Sequence, residues 1–115
     1  MKTYCLTLDL HDEPDLIEQY KWYHRQENIW PEVVGNILSH GVLSEEIYLV
    51  GDRLVMILQT TEDFSFEAKK ASDRTNPIMQ QLENAMWAFQ KPLPNARSDE
   101  KWTLMEKIFE VSKPT

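Results

Sequence analysis

The amino-acid sequence predicts an α+β fold, an antiparallel sheet with its helices on one face. Three observations support this prediction. Apolar and polar residues alternate near both ends of the chain, a short glycine-containing link joins two β-rich segments, and the remaining segments carry apolar residues at helical spacing. The resulting order is strand, helices, strand, strand, helices, strand, which is the ferredoxin-like arrangement of dimeric α/β barrels. A length of 115 residues fits a single domain, 1–115, around one core.

The first strand and the first helix follow from the residue pattern. Residues 3–10 alternate between apolar and polar side chains, which is the period of a half-buried strand. Asp12 then fits a helix cap, and Pro14 fits the first turn of the helix that follows. One face of this helix carries its apolar and aromatic side chains, which are Leu16, Ile17, Tyr20, Tyr23 and His24.

A second helix and a hairpin come next. The helix is expected over about 31–39, and Gly41 ends it because glycine accepts the left-handed backbone conformation. Two β-rich segments, 44–50 and 53–60, are separated only by a Gly-Asp dipeptide. A two-residue link with glycine is typical of a β-hairpin.

The last part of the chain predicts two more helices and a final strand. One helix is expected over about 64–72, where charged residues such as Lys69 fit a solvated face. Another begins at the Asn-Pro pair 76–77 and shows helical spacing. Residues 91–99 predict a proline-containing loop, and the alternation over 102–111 predicts a strand.

Charge and topology limit the partners. The net charge of −7 argues against nucleic acid or an anionic membrane surface, whereas a neutral sugar fits well. A sheet covered by helices on one face leaves its other face in need of cover. We therefore expect a homodimer.

Cysteine usage predicts the compartment. The single cysteine, Cys5, cannot form an intramolecular disulfide and suits a reducing environment. The first ten residues include Asp9 and lack the apolar run of a signal peptide, and no segment approaches the length of a transmembrane helix. We expect a cytoplasmic protein.

Several classes of site have no motif in this sequence. The three glycines stand apart and form no phosphate loop, and no serine lies in a nucleophile elbow. The three histidines, His11, His24 and His40, share no metal-ligand spacing. We expect neither a metal nor a cofactor.

The candidate chemistry lies in an aromatic and polar cluster near residue 20. Tyr20 and His24 are four residues apart, so on a helix their side chains meet on one face. A phenol beside an imidazole is a plausible acid–base pair near neutral pH. Trp30 could pack on the C–H face of a sugar. Spacing alone favours the alternative that Tyr20 and Trp30 are core residues and His24 a surface or hydrogen-bonded histidine.

The motifs around this cluster resemble those of the L-rhamnose mutarotase family. The matching segments are Tyr-Lys-Trp-Tyr-His at 20–24, Ile-Trp-Pro-Glu-Val at 29–33, Ser-His-Gly at 39–41 and Ile-Tyr-Leu at 47–49. The tail, with Asn-Pro at 76–77, Met-Trp at 86–87, Gln-Lys-Pro-Leu-Pro at 90–94 and residues 100–109, is more similar to the family's L-fucose-type relatives. The resemblance covers most of the chain.

This resemblance implies roles for two residues. It implies a ferredoxin-like dimer in which His24 is the proton donor and Tyr20 contacts the sugar. It thereby reverses the preference that spacing alone gives for these two side chains.

Three departures from the family pattern concern the sugar pocket. The gap between His24 and Trp30 is two residues longer than in rhamnose-type members. The family's sugar-contacting tyrosine falls near Glu45, and its tandem tryptophans fall near Met79 and Gln80. An altered pocket around the same acid–base residues points to a different sugar, L-fucose first and L-rhamnose second.

Other pocket candidates stay open. Glu45 and Glu46 are neighbours on a strand and face opposite sides, so solvated charge is favoured for both over contact with sugar hydroxyls. Trp87 and Trp102 could line the pocket, although core filling is favoured for at least one of them.

The predicted function is mutarotation, the interconversion of the α and β anomers of a deoxy sugar. His24 would protonate the ring oxygen, Tyr20 would hold or relay at the anomeric hydroxyl, and Trp30 would form a pocket wall. Two alternatives remain at this stage: a cofactor-free monooxygenase of the dimeric α/β-barrel type, and a metabolite-binding module without catalysis.

Overall fold

The structure is a computed structural model that describes residues 1–97 and 100–114. Its strands are β1 (Lys2–Leu10), β2 (Val42–Val50), β3 (Arg53–Thr60), β4 (Gln90–Lys91) and β5 (Thr103–Leu104). Its helices are α1 (Pro14–Tyr23), α2 (Pro31–Ser39), α3 (Phe66–Arg74) and α4 (Pro77–Met86). The predicted α+β order is therefore confirmed. None of the helices within the described ranges is long and apolar enough to cross a membrane.

The strands form one antiparallel sheet in the order β2-β3-β1-β4, with β5 also pairing to β1. β1 pairs with β3 from Lys2 opposite Thr60 to Asp9 opposite Arg53. The hairpin between β2 and β3 turns at Gly51, whose φ is +59°. The short β4 and β5 strands share the other edge of β1, β4 beside Leu10 and β5 beside Leu6.

The core lies between the helices and one face of the sheet. Leu8, Leu10 and Leu54 are almost completely buried there. Tyr20 of α1 joins the same cluster, which also contains Met86 and Phe89. A tyrosine predicted as a functional residue is thus also part of the packing, and its ring position is fixed by the core.

The helix starts differ in how they are capped. At α4 the Asn76 side chain accepts hydrogen bonds from the backbone N–H groups of Ile78 and Met79, as the Asn-Pro pair predicts. At α1 the cap residue is Glu13 and its side chain makes no capping bond, so the prediction of Asp12 as cap was wrong. Pro14 fixes the first turn there instead, because it lacks the N–H that a cap would satisfy.

Two further predictions need correction. The helix expected over 64–72 begins two residues later, at Phe66, because Ser65 caps it through the Ala68 N–H. The final strand expected over 102–111 is only two residues long, Thr103–Leu104. Beyond Met105, whose N–H bonds the carbonyl of Cys5, side chains such as Phe109 are exposed. The alternation persists there without a strand to pair with in this chain.

The loop expected over 91–99 is mostly correct. Its first residue, Lys91, instead pairs with Asp9 in β4. Ser98 and Asp99 lie outside the described residues.

Candidate active site

The end of α1 brings Tyr20 and His24 together. Their ring centroids are 4.2 Å apart and their planes differ by 31°. His24 is the residue at which α1 ends, and its Nδ1 lies 2.7 Å from the carbonyl oxygen of Tyr20. Because a carbonyl oxygen can only accept, Nδ1 carries the hydrogen and Nε2 remains for exchange with a ligand. The two rings, one helical turn apart in sequence, therefore lie in contact as predicted.

A cavity of about 270 Å³ opens beside these two rings, between the helices and the sheet. Its volume is near the lower end of ordinary ligand pockets, about 300 Å³, and so suits a small ligand. Much of its wall is apolar, from residues such as Ile37, Ile47 and Leu58. The polar or titratable side chains that line it are Tyr20, Tyr23, His24, Glu45, Lys69, Glu83, Gln90 and Lys101.

Tyr20 is more deeply buried than His24. Tyr20 is only 3% exposed. The Gln90 amide Nε2 donates a hydrogen bond of 3.3 Å to the hydroxyl oxygen of Tyr20. Desolvation raises the pKa of Tyr20 to about 12, with a smaller contribution from the negative charge of Glu45. The hydroxyl keeps its hydrogen at neutral pH and can donate it in a hydrogen bond to a ligand oxygen.

His24 lies at the mouth of the cavity, with part of its surface exposed. Desolvation lowers the pKa of His24 below its ordinary 6.5, while the hydrogen bond to the Tyr20 carbonyl acts in the opposite direction. Burial therefore favours the neutral imidazole, whose Nε2 can accept a proton that the imidazolium form can return. This is the property required of a group that both gives and takes a proton.

Trp30 also lines the cavity, as the sequence predicts. It is the residue that precedes α2, where Pro31 starts the helix, and its side chain is half-buried. An indole ring fixed at a helix start provides a rigid apolar wall against which a sugar ring can pack.

Glu45 is exposed, in agreement with the expectation of solvated charge, and it also borders the cavity. It lines the cavity from β2, and burial raises the pKa of its carboxyl group, with Lys69 acting in the opposite direction. Its neighbour Glu46 is exposed as well, and as the next residue on a strand it lies on the opposite face of the sheet. The alternation was predicted correctly, but the sequence did not say that the inward position belongs to the carboxylate.

The four remaining pocket candidates divide evenly. Met79 and Trp102 line the cavity, and Trp102 also packs against the core. Gln80 instead donates a hydrogen bond to the backbone carbonyl of Asp73 over 2.9 Å. Trp87 is 46% exposed, and the ammonium of Lys101 lies 4.7 Å above its ring.

Charged side chains that the sequence reasoning missed lie at the far side of the cavity. Lys69, expected on a solvated helix face, lines the cavity and is paired with Asp73 at 2.7 Å. Lys101 is paired with Glu83 at 3.0 Å. Lys69 comes from a segment whose polarity suggested a solvated helix face, and no local signal distinguishes Lys101 from a surface lysine.

The other two histidines lie away from the cavity. His40 ends α2 and holds Ser72 through Nε2 at 3.0 Å, and its Nδ1 donates to the carbonyl of Asn36. This is contact with the carbonyls of the last helical turn, as expected for a histidine there. Within the part of the chain that the structure describes, no group of three or more potential ligands could hold a metal ion.

Comparisons with known proteins bear on this site at the level of sequence. A family model described as L-rhamnose mutarotase matches residues 3–111. An L-fucose mutarotase of Xanthomonas campestris pv. campestris is 43% identical over 113 residues, which covers 98% of this chain and 90% of the relative.

Solved structures bear on the fold. The L-rhamnose mutarotase of Formosa agariphila aligns with a TM-score of 0.69 at 16% identity, over 97% of this chain and 100% of that one. The tetracenomycin F2 cyclase of Streptomyces glaucescens, a type-II polyketide cyclase, aligns with a TM-score of 0.71 at 13% identity, over 99% and 100%. At such identities the likeness concerns the fold alone, and it confirms the predicted ferredoxin-like class.

Proposed function

Because the chain belongs to the L-rhamnose mutarotase family and is a sugar mutarotase, an isomerase, we propose that it interconverts the α and β anomers of L-fucose through His24 and Tyr20. L-Rhamnose is the second candidate. The observation that carries this proposal is the contact of the two rings, 4.2 Å apart, in the wall of one small cavity.

Two observations support L-fucose. The relative at 43% identity is named an L-fucose mutarotase. The side chains at positions 45, 79 and 80 also depart from the rhamnose-type pattern, and two of them, Glu45 and Met79, line the cavity. Sugars that differ in one hydroxyl are distinguished by the polar groups around that hydroxyl, so these changes bear on the preferred sugar.

The reaction requires two proton movements at the anomeric carbon. Ring opening breaks the bond between that carbon and the ring oxygen, which gains a proton, while the anomeric hydroxyl loses one and becomes a carbonyl. Closure on the other face reverses both movements. In the proposed mechanism the Nε2 of His24 protonates the ring oxygen, because Nδ1 is engaged with the Tyr20 carbonyl.

Tyr20 holds the anomeric oxygen in the proposed mechanism. Its hydroxyl oxygen accepts a hydrogen bond from Gln90, so its own hydrogen is directed to another acceptor. Since its pKa is about 12, the phenol remains protonated and stabilises negative charge as it develops on the anomeric oxygen. Trp30 supplies the stacking wall.

The test is anomer exchange measured by saturation-transfer NMR at the anomeric protons of L-fucose, L-rhamnose, L-galactose and D-glucose. The protein is expected to accelerate exchange of L-fucose most. If none of the four sugars exchanged faster than in buffer, the proposed function would be wrong.

We also propose that the chain forms a homodimer through the sheet face opposite the helices. By strand register this face carries two cross-strand apolar pairs, Cys5 opposite Ile57 and Tyr48 opposite Val55. Tyr48 is 56% exposed in the single chain.

We further propose a cytoplasmic location, which the lone cysteine supports.

Light scattering tests the dimer with two variants of equally exposed residues. Tyr48→Lys, on the open sheet face, should shift the mass from that of a dimer to that of a monomer. Leu38→Lys, on α2 and also 56% exposed, should leave the dimer intact. A monomeric wild type, or a Tyr48→Lys variant that stays dimeric, would contradict this interface.

A further inference from the structure

Glu45 is an exposed carboxylate that borders the cavity from β2. It lines the same cavity as Tyr20 and His24. Within residues 1–97 and 100–114 its carboxylate makes no hydrogen bond or ion pair. Because no described side chain occupies them, its oxygens are available to a ligand that enters the cavity.

The other charged groups of the cavity are already paired. Glu83 forms an ion pair with Lys101, and Lys69 pairs with Asp73 while it also donates to Asn36. A second cavity, of about 350 Å³, shares wall residues with the first, and it too is lined by both His24 and Glu45. His24 and Glu45 therefore stand together where the two cavities meet, and Glu45 alone among the described carboxylates of the first cavity lacks an ion-pair partner.

The reaction needs a second group that can truly exchange a proton. Tyr20 fits this role poorly, because its pKa of about 12 lies more than 5 pH units above that of His24, which is below 6.5. Complete transfer between them would leave a costly phenolate and imidazolium. Burial instead lowers the pKa of His24 and raises that of Glu45, so these two groups approach each other in proton affinity.

From this placement we propose that Glu45 is the second catalytic acid–base residue, which exchanges a proton with the anomeric hydroxyl while His24 exchanges one with the ring oxygen. The inference rests on the proposed mutarotase function and adds a residue to it. Tyr20 then acts as a hydrogen-bond donor that holds the anomeric oxygen.

The proton balance closes over one cycle. At the start of the cycle His24 is protonated and Glu45 is ionised, so the two residues share one exchangeable proton. In ring opening the imidazolium gives its proton to the ring oxygen as the carbon–oxygen bond breaks, and Glu45 takes the anomeric hydroxyl proton as the carbonyl forms. In closure on the other face Glu45 returns its proton to the carbonyl oxygen and His24 takes the proton of the open-chain hydroxyl. The enzyme is restored without a further reactant.

The test compares two neighbouring, isosteric substitutions. Glu45→Gln removes the proton-transfer group from the cavity, whereas Glu46→Gln makes the same change on the exposed side of β2. With L-fucose in saturation-transfer NMR, Glu45→Gln should lower the maximal exchange rate about a hundredfold, with a smaller change in KM. Glu46→Gln should match the wild type.

A second variant separates proton transfer from sugar binding. Glu45→Ala leaves space for a small carboxylate, so added formate should restore part of its exchange rate, while chloride at the same ionic strength should not. The inference is overturned if Glu45→Gln matches Glu46→Gln in maximal rate, or if formate leaves Glu45→Ala unchanged. In either case an active wild type and an inactive His24→Ala would leave the proposed function intact. A wild type without activity would remove both.

Discussion

Replacement of Tyr20 by phenylalanine should change stability in a way that depends on pH. The substitution removes the hydroxyl to which Gln90 donates, and Gln90 is only 5% exposed. Its amide oxygen already lacks a partner among the described residues, so the variant would leave the whole amide unsatisfied. Near pH 7 the free energy of unfolding should therefore fall by about 1 to 2 kcal/mol.

The stability that this hydroxyl contributes to the wild type is lost in alkaline solution. Its pKa is about 12 in the folded protein against an ordinary 10.0, so the unfolded chain releases this proton first as the pH rises. The stability that Tyr20 contributes is complete below pH 10 and is lost towards pH 12. By linkage the wild type loses about 1.3 kcal/mol from this group between about pH 9 and pH 11, and the phenylalanine variant loses none.

Urea unfolding of both proteins at pH 7, 9, 10 and 11 measures this difference. The deficit of Tyr20→Phe should shrink above pH 9 and nearly vanish at pH 11, because the wild type loses the contribution of the Tyr20 hydroxyl over this range. Tyr23→Phe is the control, a second tyrosine that lines the cavity, whereas the Gln90 amide donates to Tyr20. A Tyr20→Phe deficit that stays constant from pH 7 to pH 11 would refute the reasoning.

Two further predictions concern pH and backbone conformation. The catalysed exchange rate, corrected for buffer, should be lower at pH 8 than at pH 6, because the lowered pKa of His24 depletes its proton as the pH rises; a flat profile would contradict His24 as donor. Gly41→Ala should destabilise the protein by at least about 1 to 2 kcal/mol in urea unfolding, since Gly41 has a φ of +89° and a new Cβ would lie 2.8 Å from the Thr61 hydroxyl oxygen. Gly35→Ala, in α2 with nothing within 4 Å of the new Cβ, should instead stabilise by up to about 1 kcal/mol; equal effects at the two positions would contradict the assigned conformations.

Much of the fold could be predicted because its signals are local. The Gly-Asp link, the stop at Gly41 and the Asn76 cap each depend on the backbone preferences of one or two residues, and all three occur as predicted. The final strand was predicted at too great a length because alternation records only which side chains are apolar. A strand also needs a partner, and β1 has its other edge divided between β4 and β5.

The candidate site likewise has features that local sequence predicts and features that depend on long-range contacts. The meeting of Tyr20 and His24 follows from helical spacing, which the sequence contains. The inward position of Glu45 and the approach of Lys101 depend on which face of β2 meets the helices and on how the loop before β5 returns. Those are long-range contacts, and polar residues within them look the same in sequence as solvated ones.

The central claim is that the Nε2 of His24 transfers the proton in mutarotation. Saturation-transfer NMR on L-fucose with His24→Ala tests it most directly, beside His11→Ala, which removes a histidine that does not line the cavity. His24→Ala should lose about a hundredfold or more of the catalysed exchange rate while its circular dichroism stays that of the wild type, and His11→Ala should exchange normally. A folded His24→Ala protein that exchanges L-fucose as fast as the wild type would contradict the claim.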